Sequence, residues 1–332
     1  MAEPENKLNL TKPLVSILIP CYNAEAWVEE TIDSALNQTY QRKEVIVVDD
    51  GSTDRSVEIC KRYESHITLE AGPNGGACRA RNRALELASG ELVQYLDADD
   101  ILLPHKIATQ VPVCLANPRA SVSCDRLEFR DTDPDCQWGE CLVPDQDSVL
   151  FTLRENIVTG GPLHSRKSLN QINGFREDLP CNQEVDLHIR LACAGTNFVH
   201  VPEQLWKYRI VEGSISSDQD RLLNTHRKVW LPAWEQLKRS SELTDSRARQ
   251  FAALFAKDAR SYLWRGDREQ AEFCFKTAQT MHKSGGLEEA YESKLGVWLH
   301  RILGHRFADQ IAKTNRRIRD GRQTVASSES NA

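Results

Sequence analysis

Hydrophobic positions in the N-terminal part of the chain alternate between two periods. Val15-Ser16-Ile17-Leu18-Ile19 is a β-branched run that Pro20 is expected to end. From about Ala24 to Asn37, Val28, Ile32 and Leu36 recur at the spacing of one helix face. Glu44-Val45-Ile46-Val47-Val48 reads as a second strand, and Ser52 and Thr53 are placed to cap a helix reaching Tyr63. Ile67-Thr68-Leu69 is a weaker third strand, Cys78 to Ala88 a third helix, and Leu92-Val93-Gln94-Tyr95-Leu96 a fourth strand. Strands that alternate with helices of this length imply right-handed βαβ units and a mostly parallel sheet. The strands are almost continuously apolar, so both faces of the sheet must be covered.

The rest of the chain reads differently. Val122-Ser123-Cys124, Leu127-Glu128-Phe129, Phe198 to Val201 and Leu205 to Arg209 look like short strands, and Glu184 to Ala194 like a helix. Asp131 to Asp147 is rich in Asp, Pro and Cys and reads as a loop or lid. From about 220 onward the pattern is purely helical. Phe251 to Leu263 and Ala271 to Met281, joined at Arg265-Gly266-Asp267, resemble one hairpin of the tetratricopeptide type, and a single hairpin is no array. The expected fold is therefore α/β, with helices flanking a mostly parallel sheet and an all-helical extension at the C-terminus.

Composition narrows the function classes. The 332 residues are 40% hydrophobic and 27% charged, with a net charge of -6. That balance suits a globular protein and argues against sequence-independent nucleic-acid binding, which needs concentrated Lys and Arg. No apolar run is long enough to span a bilayer, and the first residues lack the apolar core of a signal peptide, so a cytoplasmic location is expected. Val297 to Leu303 could touch the inner face of a membrane or another subunit, or pack on its own domain. The ten cysteines form no Cys-x-x-Cys pair and read as reduced core thiols.

In doubly wound sheets, ligands bind beyond the carboxyl ends of the strands. The polar residues there are Pro20-Cys21-Tyr22-Asn23, Asp49-Asp50-Gly51-Ser52 and Asp97-Ala98-Asp99-Asp100. Asp97 and Asp99 supply hard oxygen ligands of the kind that Mg2+ or Mn2+ shares with a diphosphate; the alternative is that they cap a helix beginning near Pro104. Asp50 can accept hydrogen bonds from a base or a ribose, or serve only a turn. Tyr22 can lie against a base, and Asn23 can cap the helix that follows. Asn74-Gly75-Gly76 lets backbone approach phosphate ahead of a helix N-terminus, with Arg79 and Arg81 as further donors. The spacing is neither a Walker loop nor a dinucleotide fingerprint.

Taken in order, these motifs resemble the family 2 glycosyltransferases. The likeness runs through Ile172-Asn173-Gly174-Phe175 and Asp186-Leu187-His188-Ile189-Arg190-Leu191 to Tyr208-Arg209 and Gly213-Ser214-Ile215-Ser216. The resemblance implies the GT-A fold and inverting transfer from a nucleotide sugar, usually a UDP-sugar, to a saccharide, lipid-linked or other hydroxyl in surface polysaccharide or glycoconjugate assembly. By the same resemblance Pro20 and Tyr22 line the base pocket, Asn23 supports its loop, and Asp50 contacts the base. Arg81 approaches the nucleotide or diphosphate, Asp97 serves ribose or metal, and Asp99 ligates Mn2+ or Mg2+. Glu184 stands where the family has its catalytic base, with Asp186 as second choice, and His164 lies where acceptor contacts occur. The implied organisation is a disordered 1–12, a transferase domain over 13–217 split into nucleotide-binding 13–105 and acceptor-binding 106–217, a helical extension over 218–311 and a disordered tail over 312–332.

Two departures from the family pattern stand out. Gln183-Glu184 replaces the usual Glu-Asp, and no His follows Tyr208-Arg209, where Glu212 could substitute. They motivate a competing reading, a nucleotide-sugar-binding scaffold without turnover that acts through its helical region. A nucleotidyltransferase would need a basic, glycine-rich N-terminal signature that the sequence lacks.

Overall fold

The computed structural model describes residues 12–139, 144–211, 218–291 and 297. The chain divides into two units, Met1–Ala233 and Trp234–Ala332. The first begins with β1 (Val15–Cys21), α1 (Val28–Leu36), β2 (Lys43–Asp49), α2 (Ser56–Lys61), β3 (Thr68–Ala71), α3 (Ala77–Leu87) and β4 (Leu92–Tyr95). β1 pairs in parallel with β2 and β4, and β2 with β3. Ile17, Leu18, Ile19 and Val47 have no exposed surface, as strands covered on both faces require. β1 runs one residue past Pro20, whose missing N–H is tolerated because this is the last turn of the ladder before the loop. Ala24 to Trp27 form a turn ahead of α1, and Ser52 and Thr53 lie outside α2, spent on loop contacts described below.

The second half of the sheet is mixed. It contains β5 (Ile101–Leu102), α4 (Lys106–Ala116), β6 (Ala120–Arg130), β7 (Asp133–Trp138), α5 (Ser148–Arg154), β8 (Leu163–Ser165), α6 (Arg166–Gln171), α7 (Gln183–Cys193) and β9 (Asn197–Arg209). The strand order is β3-β2-β1-β4-β8-β6-β9-β5, with β7 paired to β6. β8 is antiparallel to both β4 and β6, while β6 and β9 run parallel. The two pairs of short strands expected from sequence are thus two long strands. Register shifts around Asp125 interrupt the pairing of β6 with β9 and break the apolar alternation that would have marked each as continuous. Part of the expected 131–147 loop is β7, which returns antiparallel to β6.

Helix α8 (Gln219–Arg239) begins in the first unit and ends in the second, which holds α9 (Asp245–Arg265), α10 (Arg268–Met281) and α11 (Leu287–Ala290). Gly266, left-handed at φ 84°, ends α9, and the Asp267 side chain caps α10 by accepting from the Gln270 N–H. Eight cysteines among the described residues are buried free thiols. No described helix is long and apolar enough to cross a membrane.

Candidate active site

At the carboxyl ends of β1, β2 and β4 opens a cavity of about 570 Å3. Asp49 ends β2, and its carboxylate folds back on the chain, accepting from the Gly51 and Ser52 N–H groups at 3.1 and 3.0 Å. Gly51 sits at φ 78°, and a Cβ there would lie 2.6 Å from the Asn74 nitrogen, so glycine is what lets the 72–76 loop close on this turn. Asp50 then receives the Gly75 and Gly76 N–H groups at 2.8 Å each, one on each carboxylate oxygen. Each oxygen keeps a second lone pair for a ligand. Asn23 adopts a left-handed φ of 47° and ties the two loops together. Its N–H donates to Ser52 Oγ and its side-chain oxygen accepts from the Thr53 N–H. Tyr22 beside it is 52% exposed, an aromatic face left open at the cavity rim.

The polar wall is built on β4 and α3. Arg81, 8% exposed, donates to Asp97 Oδ1 at 2.7 Å and to Gln183 Oε1 at 3.0 Å, with its guanidinium 5.2 Å from the Phe175 ring centroid. Burial pulls its pKa down, and the Asp97 carboxylate more than offsets that, so the charge is fixed. Among the described residues, Arg81 Nε is buried without a partner. The Asp97 to Asp100 turn is fastened by Arg209, whose N–H donates to Asp100 Oδ1 and whose Nε donates to the Asp99 carbonyl. No helix is capped by Asp97 or Asp99: α4 starts at Lys106 with no side-chain cap.

Asp99 carries no ion-pair partner among the described residues. Burial, reinforced by the charge of Asp97, lifts its carboxyl to about 6. A half-buried carboxylate beside a second one, with only one of the two matched by an arginine, is short of positive charge. No described group of three His, Cys, Asp or Glu side chains gathers to hold an ion alone. The donor set therefore fits Mg2+ or Mn2+ bound by one or two carboxylates, with diphosphate and water supplying the other oxygens.

Glu184 stands in the first turn of α7 and faces the same cavity. Burial raises its pKa above the ordinary glutamate value, with its own backbone N–H and Arg81 pulling the other way. The cavity thus brings together Pro20, Tyr22, Asn23, Asp50, Arg81, Asp97, Asp99 and Glu184.

Two expected residues lie elsewhere, and burial is the reason in both cases. Asp186, 2% exposed, is held by Arg190 at 2.6 Å and Arg176 at 3.4 Å; it serves the packing of α7 and does not line the cavity. His164, 1% exposed, is paired with Ser121 Oγ at 2.8 Å and stacked on His188, closed off from any acceptor. Glu212 lies outside the described residues. Asn74, from the glycine loop, also lines the cavity, as do Thr159, Gln183 and Tyr208, which were not singled out as site residues. Gln183 was legible as the neighbour of Glu184; Thr159 carried no sequence signal beyond the two glycines after it.

The buried histidine pair has a consequence for acid stability. Burial takes His188 down to about 3 and His164 well below its ordinary value, with the neighbouring imidazole adding to the latter. Folded values below the unfolded one mean that the unfolded chain takes up protons first as pH falls. Stability is complete above about pH 6.5 and declines toward pH 3, by about 2 kcal/mol at pH 5 for His188, with His164 acting in the same direction. Urea unfolding at pH 7.5 and pH 5 should show this loss; equal stabilities would contradict it.

Comparison with known proteins bears on the family and the fold. Residues 16–171 match the family described as glycosyl transferase family 2. TuaG of Bacillus subtilis, a glycosyltransferase named for teichuronic acid biosynthesis, is 33% identical over 217 residues, 63% of this chain and 83% of that protein. The crystal structure of S. aureus TarS 1–349 in complex with UDP-GlcNAc superposes with a TM-score of 0.67 over 91% of each chain at 17% identity. The mannosyltransferase PcManGT from Pyrobaculum calidifontis, in complex with GDP-Man and Mn2+, gives 0.54 over 94% of this chain and 88% of its own at 20% identity. At those identities the two structures establish the shared fold, the GT-A architecture.

Proposed function

We propose that this chain, which belongs to glycosyl transferase family 2, transfers a sugar from a UDP-sugar to an acceptor hydroxyl by a single displacement with Glu184 as base. The observation that carries this reading is the convergence on one cavity of a dicarboxylate turn, a fixed guanidinium and a half-buried glutamate. Tyr22 and Pro20 offer an apolar seat for the base, and Asp50 accepts from the base N–H through its remaining lone pairs. Asp97 is within reach of ribose while it holds Arg81 beside the diphosphate. Asp99, with Asp97 as the second carboxylate, would hold a divalent ion, whose chemistry when bound is Lewis-acid stabilisation of the departing diphosphate.

Glu184 takes the acceptor proton as the hydroxyl oxygen bonds to the anomeric carbon. The bond from that carbon to the diphosphate oxygen breaks on the opposite face, and the nucleoside diphosphate leaves with the electron pair. The raised pKa of Glu184 makes it a stronger base, and the arginine charge nearby keeps it from being lifted further. The teichuronic acid biosynthesis in TuaG's name supports a polysaccharide or another saccharide as acceptor, and the UDP-GlcNAc bound to TarS supports UDP as the nucleotide. NMR of the product before mutarotation tests the displacement: an α-configured UDP-sugar should give a β-glycoside, and retention would contradict it.

A further inference from the structure

Under the cavity lies a buried cation that the transfer chemistry does not use. Lys106, the first residue of α4, has no exposed surface. Its Nζ donates to Gln94 Oε1, to Gln110 Oε1 at 2.7 Å and to the Gly161 carbonyl at 2.9 Å. All three acceptors are neutral, and among the described residues no carboxylate pairs with it. Burial takes its pKa down to about 8, the mark of a charge kept at a cost. Around it the same loop is held again: Gln110 Nε2 donates to the Gly161 carbonyl at 3.0 Å and Gln94 Nε2 to the Gly160 carbonyl at 2.8 Å. The Gly161 N–H closes a turn on the Val158 carbonyl at 3.1 Å. Gly160 lies flat against the Trp206 indole, where a Cβ would stand 2.6 Å from the ring.

What this loop presents is Thr159. The residue lines the cavity and is only 5% exposed. Among the described residues its hydroxyl makes no hydrogen bond, yet it is not sealed from solvent. A nearly buried hydroxyl without a partner, on a rigidly pinned turn facing a ligand cavity, asks for a polar group on the ligand. The base and ribose are provided for by Tyr22, Asp50 and Asp97, and the diphosphate by Arg81 and Asp99. The transferred sugar must place its anomeric carbon between that diphosphate and Glu184, so it fills the interior.

We propose that Thr159 hydrogen-bonds a hydroxyl of the donor's hexose and so helps select the sugar, with Lys106, Gln94 and Gln110 as positioning residues for its turn. The inference rests on the proposed glycosyl transfer and adds a sugar-selecting contact to it. Its test compares Thr159→Val, which keeps the shape and removes the hydroxyl, with Thr159→Ser, which keeps the hydroxyl. The affinities of UDP and of UDP-GlcNAc, UDP-glucose and UDP-galactose are measured for each protein with Mn2+ present. The expected result is that the sugar preferred by wild type binds about tenfold more weakly to Thr159→Val, one hydrogen bond lost at a nearly buried hydroxyl. UDP affinity should stay unchanged, and Thr159→Ser should recover the sugar's share. Thr159→Val with the wild-type ratio of UDP-sugar to UDP affinity would overturn the proposal. So would a wild type that binds every UDP-sugar no better than UDP, because no sugar contact then contributes. Wild type that binds neither UDP nor any UDP-sugar would instead overturn the UDP-sugar transfer on which the inference rests.

Discussion

Glu184→Gln lowers the rate of transfer by about 10^3-fold while leaving UDP affinity nearly intact. The amide matches the carboxylate in size and can stay at the start of α7, so the cavity keeps its shape. What goes is, among the described residues, the only lining carboxylate on the α7 side able to take a proton from an attacking hydroxyl. The nearest alternative, Asp186, is already shared by Arg190 and Arg176 and does not reach the cavity. In wild type the acid limb of the rate profile should fall at a pH above the ordinary glutamate value of 4.5, since burial raises this carboxyl. Steady-state kinetics checks both points. Full activity in Glu184→Gln would assign the base elsewhere and favour another mechanism.

Asp99→Asn is the second large effect. The substitution removes one of the two charges that would hold a divalent ion and leaves Asp97 matched to Arg81. Transfer should drop by about 10^2-fold or more, because stabilisation of the leaving diphosphate acts only as the bond breaks. It should also relieve the burial of a charge, and its repulsion from Asp97, that lift Asp99 to about 6, so the protein is expected to be no less stable than wild type. Activity and melting temperature therefore part company in this variant. A parallel loss of both would mean that the carboxylate serves the fold.

Most residues of the candidate site on the β1, β2 and β4 side were legible in the sequence because they lie at strand ends that short-range patterns mark. Asp50 follows an apolar strand directly and Asp99 stands in the turn just beyond another, and their neighbours in the chain build the turns that carry them. The meaning of Asp186 and His164 was not legible, because it depends on what packs against them. Asp186 meets Arg176, ten residues away, and His164 meets Ser121 across two strands. The Arg81–Gln183 contact spans 102 residues, and no local pattern encodes it. The bulged pairing of β6 with β9 hid two long strands behind four short runs. Thr159 owes its place to a buried lysine 53 residues earlier, through carbonyls that no side-chain pattern reveals.

The most direct measurement is donor binding by titration calorimetry, on wild type and on Asp99→Asn, with UDP-, GDP- and dTDP-sugars, each in Mn2+, in Mg2+ and in chelator. Binding of one nucleotide sugar that needs the metal and is lost in Asp99→Asn is the expected result. Folded wild type that binds none of them with metal present would contradict a transferase working at this cavity.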